Sequence, residues 1–231
     1  MNQDKIVVVM GGTSTEAEIS RQTGTAILKA LQSKGYHAEG MELVPATFAA
    51  DIQRSGCAIV FNALHGKFGE DGVLQGTLDM LGIPYTGSGV LAAAVTMDKA
   101  ASKRVFVAEG ISTPRSRTYH SYETKKNLAE EVERDFSLPV VVKAASQGSS
   151  IGVYIVDTAA GLADALKEAF TYNDEVLVEE FIKGRELTVA VWGNEEKKEA
   201  FPIIEITTAS GCYDYESKYT KGASTHIIPA R

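Results

Sequence analysis

The sequence predicts a mixed α/β fold that opens on a Rossmann-like parallel sheet and turns antiparallel toward its C-terminal end. Three observations carry this. An apolar run, Lys5 to Met10, passes through a Gly-rich turn into a helical pattern. Further short apolar runs alternate with helical stretches, as parallel strands require because each needs a crossover connection. In the last third, strand-like runs follow one another at turn spacing with no helix between them.

Composition bounds the function. At 231 residues the chain exceeds the usual single domain of roughly 100–150, so one large or two compact domains fit. Apolar residues at 44% and charged residues at 23% are ordinary globular values, which excludes disordered, collagen-like and coiled-coil classes. A net charge of −7 leaves no basic surface excess, and the dense pair Lys125 and Lys126 adjoins a Glu-rich helix, so nucleic acid is not an expected partner. No stretch approaches the roughly 18 apolar residues needed to span a bilayer, and Met1 to Lys5 is too polar to begin a signal peptide. The expected location is cytoplasmic, with no membrane partner. Cys57 and Cys212 lie far apart and read as reduced thiols. The four histidines, His37, His65, His120 and His226, lack zinc-site spacing.

In chain order, the first helix presents Ile19, Thr23, Ala26, Ile27, Ala30 and Leu31 on one face and closes at Gly35. Tyr36 to Leu43 and Ala58 to Leu64 read as strands, Gly72 to Leu81 as a helix, and Ile83 to Thr86 as a brief strand. Two helical stretches then meet near Thr96, where a domain seam is expected. Ser116 to His120 and Pro139 to Lys143 read as strands around a charged helix from Glu123 to Arg134. SQGSSIG, Ser146 to Gly152, is a polar loop before the strand Val153 to Val156. A helix from Thr158 to Phe170 precedes two strand patterns flanking Lys183-Gly184, then Phe201 to Ile206, an aromatic-rich loop, and the strand-like THIIPAR.

The turn GGTSTEAEIS poses a chemical question. Gly-rich turns between strand and helix usually cradle phosphate on free N–H groups, but Glu16 and Glu18 would repel it. YTGSGVLAA, Tyr85 to Ala93, matches a G-x-G-x-x-A dinucleotide fingerprint with Glu109 downstream. It does not occupy the first β-α turn, where such a fingerprint belongs, so a dinucleotide-dependent oxidoreductase is the lesser alternative. Lys99 opens a helix, and Lys143 ends the apolar run PVVVK beside QGSS. Either lysine alone reads equally well as a surface residue snorkelling from an element end. Together with the loop they describe a phosphate site, two ammonium groups plus backbone N–H donors. The segment VEEFIKGRE offers an extended backbone to an adenine edge and Glu186 to ribose hydroxyls.

Six segments, GGTSTEAEIS, ALHGKFGEDG, PYTGSGVLAAAVTMDK, VVKAASQGSSIGV, VEEFIKGRELTVAV and YDYESKY, stand in the order found in the D-alanine:D-alanine ligases. The whole chain resembles that family, a member of the ATP-grasp class. The resemblance implies an N-terminal substrate-binding domain over 1–95, a central ATP-grasp subdomain over 96–180 and the start of a C-terminal subdomain over 181–231. It implies that Glu16 accepts the ammonium of the first D-alanine, which answers the question of the acidic turn, and that His65 lines the same subsite, binding a carboxylate or helping proton transfer. Lys99 and Lys143 would hold the ATP phosphates under a loop carrying Ser149 and Ser150. Glu179, Glu180, Phe181 and Ile182 would frame the adenine and Glu186 take the ribose. Tyr213, Lys218 and Tyr219 match the closing loop, in which Lys218 supports phosphate and Tyr219 joins Ser149 and Glu16 in a latch that excludes water. Tyr219 also points to D-alanine rather than D-lactate as second substrate.

The implied reaction is phosphoryl transfer from ATP to a D-alanine carboxylate, then attack by a second D-alanine amine, supplying the dipeptide for peptidoglycan. Magnesium or manganese would assist, and a homodimer through the N-terminal region is implied. The sequence departs from the family in two places. Ala144 stands where relatives usually carry proline, which is expected to loosen the phosphate loop. Relatives also continue past a segment like THIIPAR into an arginine, acidic metal ligands and an asparagine, so metal ligands are expected beyond Arg231. The 231 residues are accordingly expected to be part of a ligase. As a complete molecule they would form a catalytically incomplete ATP- and D-alanine-binding fragment.

Overall fold

The computed structural model describes residues 4–123, 128–194, 196–208, 211 and 213–231. Lys125, Lys126 and Cys212 lie outside the described residues. The chain forms two compact units, Met1–Thr113 with Ala145–Gly148, and Pro114–Ala144 with Ser149–Arg231.

In the first unit, β1 (Ile6–Met10), β2 (Ala38–Glu42) and β3 (Ile59–Asn62) form a parallel sheet in the order β2-β1-β3. The central strand β1 is covered on both faces, which is why Val7, Val8 and Val9 run apolar without alternation and are essentially inaccessible. Helices α1 (Ala17–Ser33), α2 (Phe48–Ser55) and α3 (Val73–Leu81) supply the crossovers, and α4 (Val90–Met97) and α5 (Lys99–Ala108) follow. Ile52 and Leu78 are completely shielded in a core with Val7, Val9, Phe48, Val60 and Leu74, each such side chain contributing about 1.5–3 kcal/mol of transfer free energy. This sheet delivers the turn Gly11–Glu16 and the segment Ala63–His65 at the carboxyl ends of β1 and β3. Open α/β sheets bind ligands at those ends.

The structure differs from the periodicity in four places. The inner face of α1 is centred on Ser20 and Gly24, whereas Ala26 and Ala30 are exposed. The reason is a close helix–strand approach: a Cβ on Gly24 would lie 2.6 Å from Met10 Cβ. Gly24→Ala is therefore expected to lower stability by about 1–3 kcal/mol through overpacking, measured by urea unfolding. The helix α2 has no counterpart in the pattern reading, because its eight residues hold only two buried anchors, Phe48 and Ile52. The Ile83–Thr86 run makes a single parallel bridge, Val60 to Tyr85, rather than a strand. Among the described residues of the 123–134 segment, the α-helix α6 spans Leu128–Asp135.

In the second unit, β4 (Ser116–His120), β5 (Val140–Ala144), β6 (Val153–Val156) and β7 (Glu175–Glu180) form an antiparallel sheet ordered β4-β7-β5-β6. The helix α7 (Ala159–Tyr172) is N-capped by Thr158, whose side chain accepts from Gly161 N. With α6 it covers one face of the sheet, where Val140, Val142, Val176 and Val178 meet Val132, Leu162 and Leu166. Alternation places Val141, Lys143, Leu177 and Glu179 on the opposite face. A second sheet joins β8 (Glu186–Thr188), β11 (Ile204–Thr208) and β12 (Ser224–Ile227), and β9 (Val191–Gly193) pairs with β10 (Lys198–Ala200). The antiparallel expectation for this part holds, but the runs flanking Lys183-Gly184 join different sheets. The aromatic-rich loop contains a short helix, α8 (Tyr215–Tyr219), capped by Asp214, whose carboxylate accepts from Ser217 N at 2.8 Å.

Candidate functional site

Four N–H groups at the turn after β1 and the head of α1 are bonded within the protein itself. Gly11 and Gly12 have φ of 76° and 86°, left-handed values that suit glycine. Gly11 N donates to Ser20 Oγ at 2.8 Å, and that hydroxyl donates to Ala63 O at 2.8 Å, tying β1, α1 and the end of β3 together. Gly12 N donates to Glu42 Oε1 at 3.1 Å, and Glu42 is held by Arg21 at 2.8 Å. Glu16 N and Ala17 N donate to Ser14 Oγ and Ser14 O, both at 3.2 Å. A phosphate at this turn would find these N–H groups taken and a carboxylate beside it.

That carboxylate, Glu16, is only 4% exposed. It rests against two positions without side chains: a Cβ on Gly66 or Gly148 would lie 2.8 or 2.5 Å from Glu16 Oε2. His65 is fixed nearby, since Ser14 Oγ donates to His65 O at 2.8 Å. Its Nε2 lies 3.2 Å from Thr23 Oγ1 and its Nδ1 3.8 Å from Glu70 Oε1. Glu70 raises the His65 pKa above its usual value against the opposing effect of burial, with Glu16 adding to the rise. Burial pushes the Glu70 carboxyl up, but the His65 ring and the Gly66 N–H at 2.8 Å outweigh it and hold it below the usual carboxylate range. A cleft of about 450 Å³ lined by Asn62, His65, Glu70, Thr86 and Met97 adjoins this group.

The raised His65 pKa has a stability consequence with a definite sign. The stabilisation should be fully present below the unfolded value of about 6.5 and vanish as pH rises through the higher folded value. Because both partners are partly exposed, it should amount to a few tenths of a kcal/mol. Urea unfolding of the chain and of His65→Gln across pH 5 to 9 checks this, the two curves converging on the alkaline side.

Lys99 stands at the start of α5, where Asp98 Oδ1 accepts from Ala101 N at 2.8 Å. Its backbone N donates to Ala145 O at 3.0 Å. Its ammonium donates to Gln147 O at 2.5 Å and Ala145 O at 3.4 Å, so this side chain grips the segment that follows β5.

In the second unit Lys143 forms an ion pair with Glu179. The pair is diagonal across β5 and β7, since Val141 faces Glu179 and Lys143 faces Leu177 in the register. Ser149 and Ser150 both adopt left-handed φ, 49° and 62°, which costs non-glycine residues free energy and is characteristic of ligand loops. Each is held from outside: Ser149 Oγ lies 2.6 Å from Tyr219 Oη, and Ser150 Oγ donates to Tyr213 O at 3.1 Å. Lys218 Nζ sits 5.3 Å from the Tyr213 ring centroid, and Tyr215 packs 4.8 Å from Tyr219. Ala144 was expected to loosen this loop. Instead its N–H donates to Gly152 O at 2.8 Å, a bond that proline cannot make, so alanine ties the loop's base.

Of the residues assigned to the base and ribose, Glu180 exchanges bonds with Arg115, its Oε1 accepting from Arg115 N and its N donating to Arg115 O, both at 3.0 Å. Phe181 N donates to Pro139 O at 3.4 Å, while Ile182 and Glu186 are exposed. Among the described residues no group of three or more His, Cys, Asp or Glu is gathered where a metal could sit, and no helix is long and apolar enough to cross a membrane. The residues described therefore do not fit a metal centre by themselves.

Sequence reasoning missed Ser14, Ser20, Thr23, Glu42 and Glu70, which hold the named residues in place. A signal existed for Ser20: it lies one helical turn after Glu16 among residues expected to face the sheet, a polar residue where an apolar one would pack.

Comparison with known proteins adds an independent line. Residues 106–231 match the family model described as D-ala D-ala ligase C-terminus, and residues 38–88 the model for D-ala D-ala ligase N-terminus. A D-alanine--D-alanine ligase of Desulforudis audaxviator is 48% identical over 232 residues, covering 98% of this chain and 73% of that protein. The crystal structure of D-alanine--D-alanine ligase from Bacillus anthracis superposes with a TM-score of 0.81 at 35% identity, covering 99% of this chain and 72% of that one. The same enzyme complexed with ATP gives a TM-score of 0.80 at 32% identity, covering 99% and 71%.

Proposed function

The chain belongs to the D-alanine:D-alanine ligase family, and from that premise we propose that it uses ATP to join two D-alanines through a D-alanyl phosphate. The observation that carries the first half is the carboxylate placed at the end of the turn after β1, Glu16, which is 4% exposed and lies against the side-chain-free positions Gly66 and Gly148. Glu16 takes the ammonium of the first D-alanine, a charge-assisted bond of about 1.5–3 kcal/mol. His65, kept cationic to higher pH by Glu70, attends the substrate's carboxylate end.

Lys99 and Lys143 receive the ATP phosphates. Each ammonium near a phosphate oxygen gains on the order of 4 kcal/mol of Coulomb attraction before desolvation, at an effective dielectric of about 20. The carboxylate oxygen of D-alanine attacks the terminal phosphorus of ATP and ADP leaves. The amine of the second D-alanine then attacks the acyl carbon, phosphate leaves, and the amine's proton passes to a base. Ser149 and Tyr219, already in contact at 2.6 Å, close over the intermediate and keep water from hydrolysing it. Glu179, Glu180, Phe181 and Ile182 border the base, Glu186 the ribose, and Lys218 the phosphates, with Tyr213 holding the loop. Magnesium or manganese, when bound, would neutralise phosphate charge in such transfers. We further propose a cytoplasmic homodimer, supported by the exposed Met80 and Leu91 on α3 and α4.

The test is phosphate release from ATP with magnesium, with and without D-alanine, together with detection of the dipeptide by mass spectrometry. D-Alanine-dependent release with D-alanyl-D-alanine as product supports the proposal. ATP binding with no dependent release would reduce the function to binding, and NADH binding without ATP binding would overturn both.

A further inference from the structure

We propose that Thr23 is a positioning residue for His65, its hydroxyl orienting the imidazole in both protonation states. This rests on the reading that His65 lines the first D-alanine subsite. The two groups flanking the ring act at different ranges. Glu70 Oε1 lies 3.8 Å from Nδ1, close enough to attract a cation but beyond the distance at which a hydrogen bond fixes direction. Thr23 Oγ1 lies 3.2 Å from Nε2, within hydrogen-bond distance. The negative charge of Glu70 beside Nδ1 favours the neutral tautomer with its proton there, which leaves Nε2 as the atom that titrates. A hydroxyl is the one simple group that answers both forms: it accepts from Nε2–H of the imidazolium and donates to the bare Nε2 of the neutral ring.

Thr23 lies on α1, two turns after Glu16, so the same helix fixes the carboxylate at its head and the hydroxyl on its flank. The charges acting on the ring are Glu70 from its own loop and Glu16 at the head of α1. Glu70 would not replace the lost hydroxyl, because it faces Nδ1 and not Nε2. Charge-assisted bonds are roughly twice as strong as neutral ones. Removing the hydroxyl should therefore weaken the protonated form more than the neutral one.

The experiment follows the four histidines of the full chain by NMR against pH, with the His65 signal assigned by its loss in His65→Gln. Thr23→Val, which keeps the branched shape, should lower the His65 midpoint by roughly half a pH unit. It should also raise KM for the first D-alanine about three- to tenfold with kcat changed less than twofold, whereas Thr23→Ser restores both. Thr23→Ala serves in place of valine if valine unfolds the chain. A valine variant matching the parent in both midpoint and KM overturns the proposal, as does a serine variant that behaves like valine. If His65→Gln leaves KM unchanged while Thr23→Val still shifts the midpoint, the subsite reading falls and the coupling of Thr23 to His65 stands.

Discussion

Lys143→Ala is expected to abolish productive use of ATP, with KM for ATP rising at least about a hundredfold, since one phosphate contact of on the order of 4 kcal/mol before desolvation is lost. It should also destabilise the chain. Glu179, whose side chain is 8% exposed, would lose its ion pair with Lys143 across β5 and β7. Breaking a buried pair by removing one member is destabilising; Lys143 is partly exposed, so the loss should be on the order of 2 kcal/mol, or about 5 °C in Tm. The double variant Lys143→Ala with Glu179→Gln separates the two effects. Thermal unfolding should recover while ATP use does not. A single variant that binds ATP normally, judged by calorimetry, would remove Lys143 from the nucleotide site.

Glu16→Gln is expected to act on the amino acid alone. Replacing the carboxylate by a neutral amide of the same shape forfeits the charge-assisted bond to the ammonium, about 1.5–3 kcal/mol, so KM for the first D-alanine should rise roughly 10- to 150-fold with KM for ATP unchanged. The glutamine fits the slot between Gly66 and Gly148, so Tm should move little. Gly148→Ala tests the slot from the other side, because its Cβ would press on Glu16 Oε2 at 2.5 Å. Initial-rate kinetics at varied D-alanine, with ATP saturating, decide the matter; an unchanged KM in Glu16→Gln would exclude Glu16 from the subsite.

Much of this arrangement is legible in the sequence because it depends on strand ends and turns, which local patterns announce. PVVVK shows a strand ending in a charge, and GGTSTE shows a glycine turn carrying a carboxylate where a phosphate-binding turn would carry none. What the sequence does not disclose is pairing. Nothing local in VEE states that Glu179 will meet Lys143, because the two residues stand 36 positions apart in the chain and meet only through the register that sets Val142 opposite Val178. The rotation of α1 toward Ser20 and Gly24 is hidden for a similar reason, since it follows from the bulk of Met10 on a neighbouring strand. The same rotation brings Thr23 to His65, a contact 42 positions apart in the chain.

The grip of Lys99 on the carbonyls of Ala145 and Gln147 makes its ammonium a contested resource. On the proposed reading that Lys99 receives phosphate, a nucleotide would have to compete with the peptide oxygens this side chain already serves, so its arrival is expected to loosen the segment that leads into Ser149 and Ser150. Occupancy and loop freedom would then be coupled through one amino group, and an arginine in its place, with donors enough for both, would uncouple them.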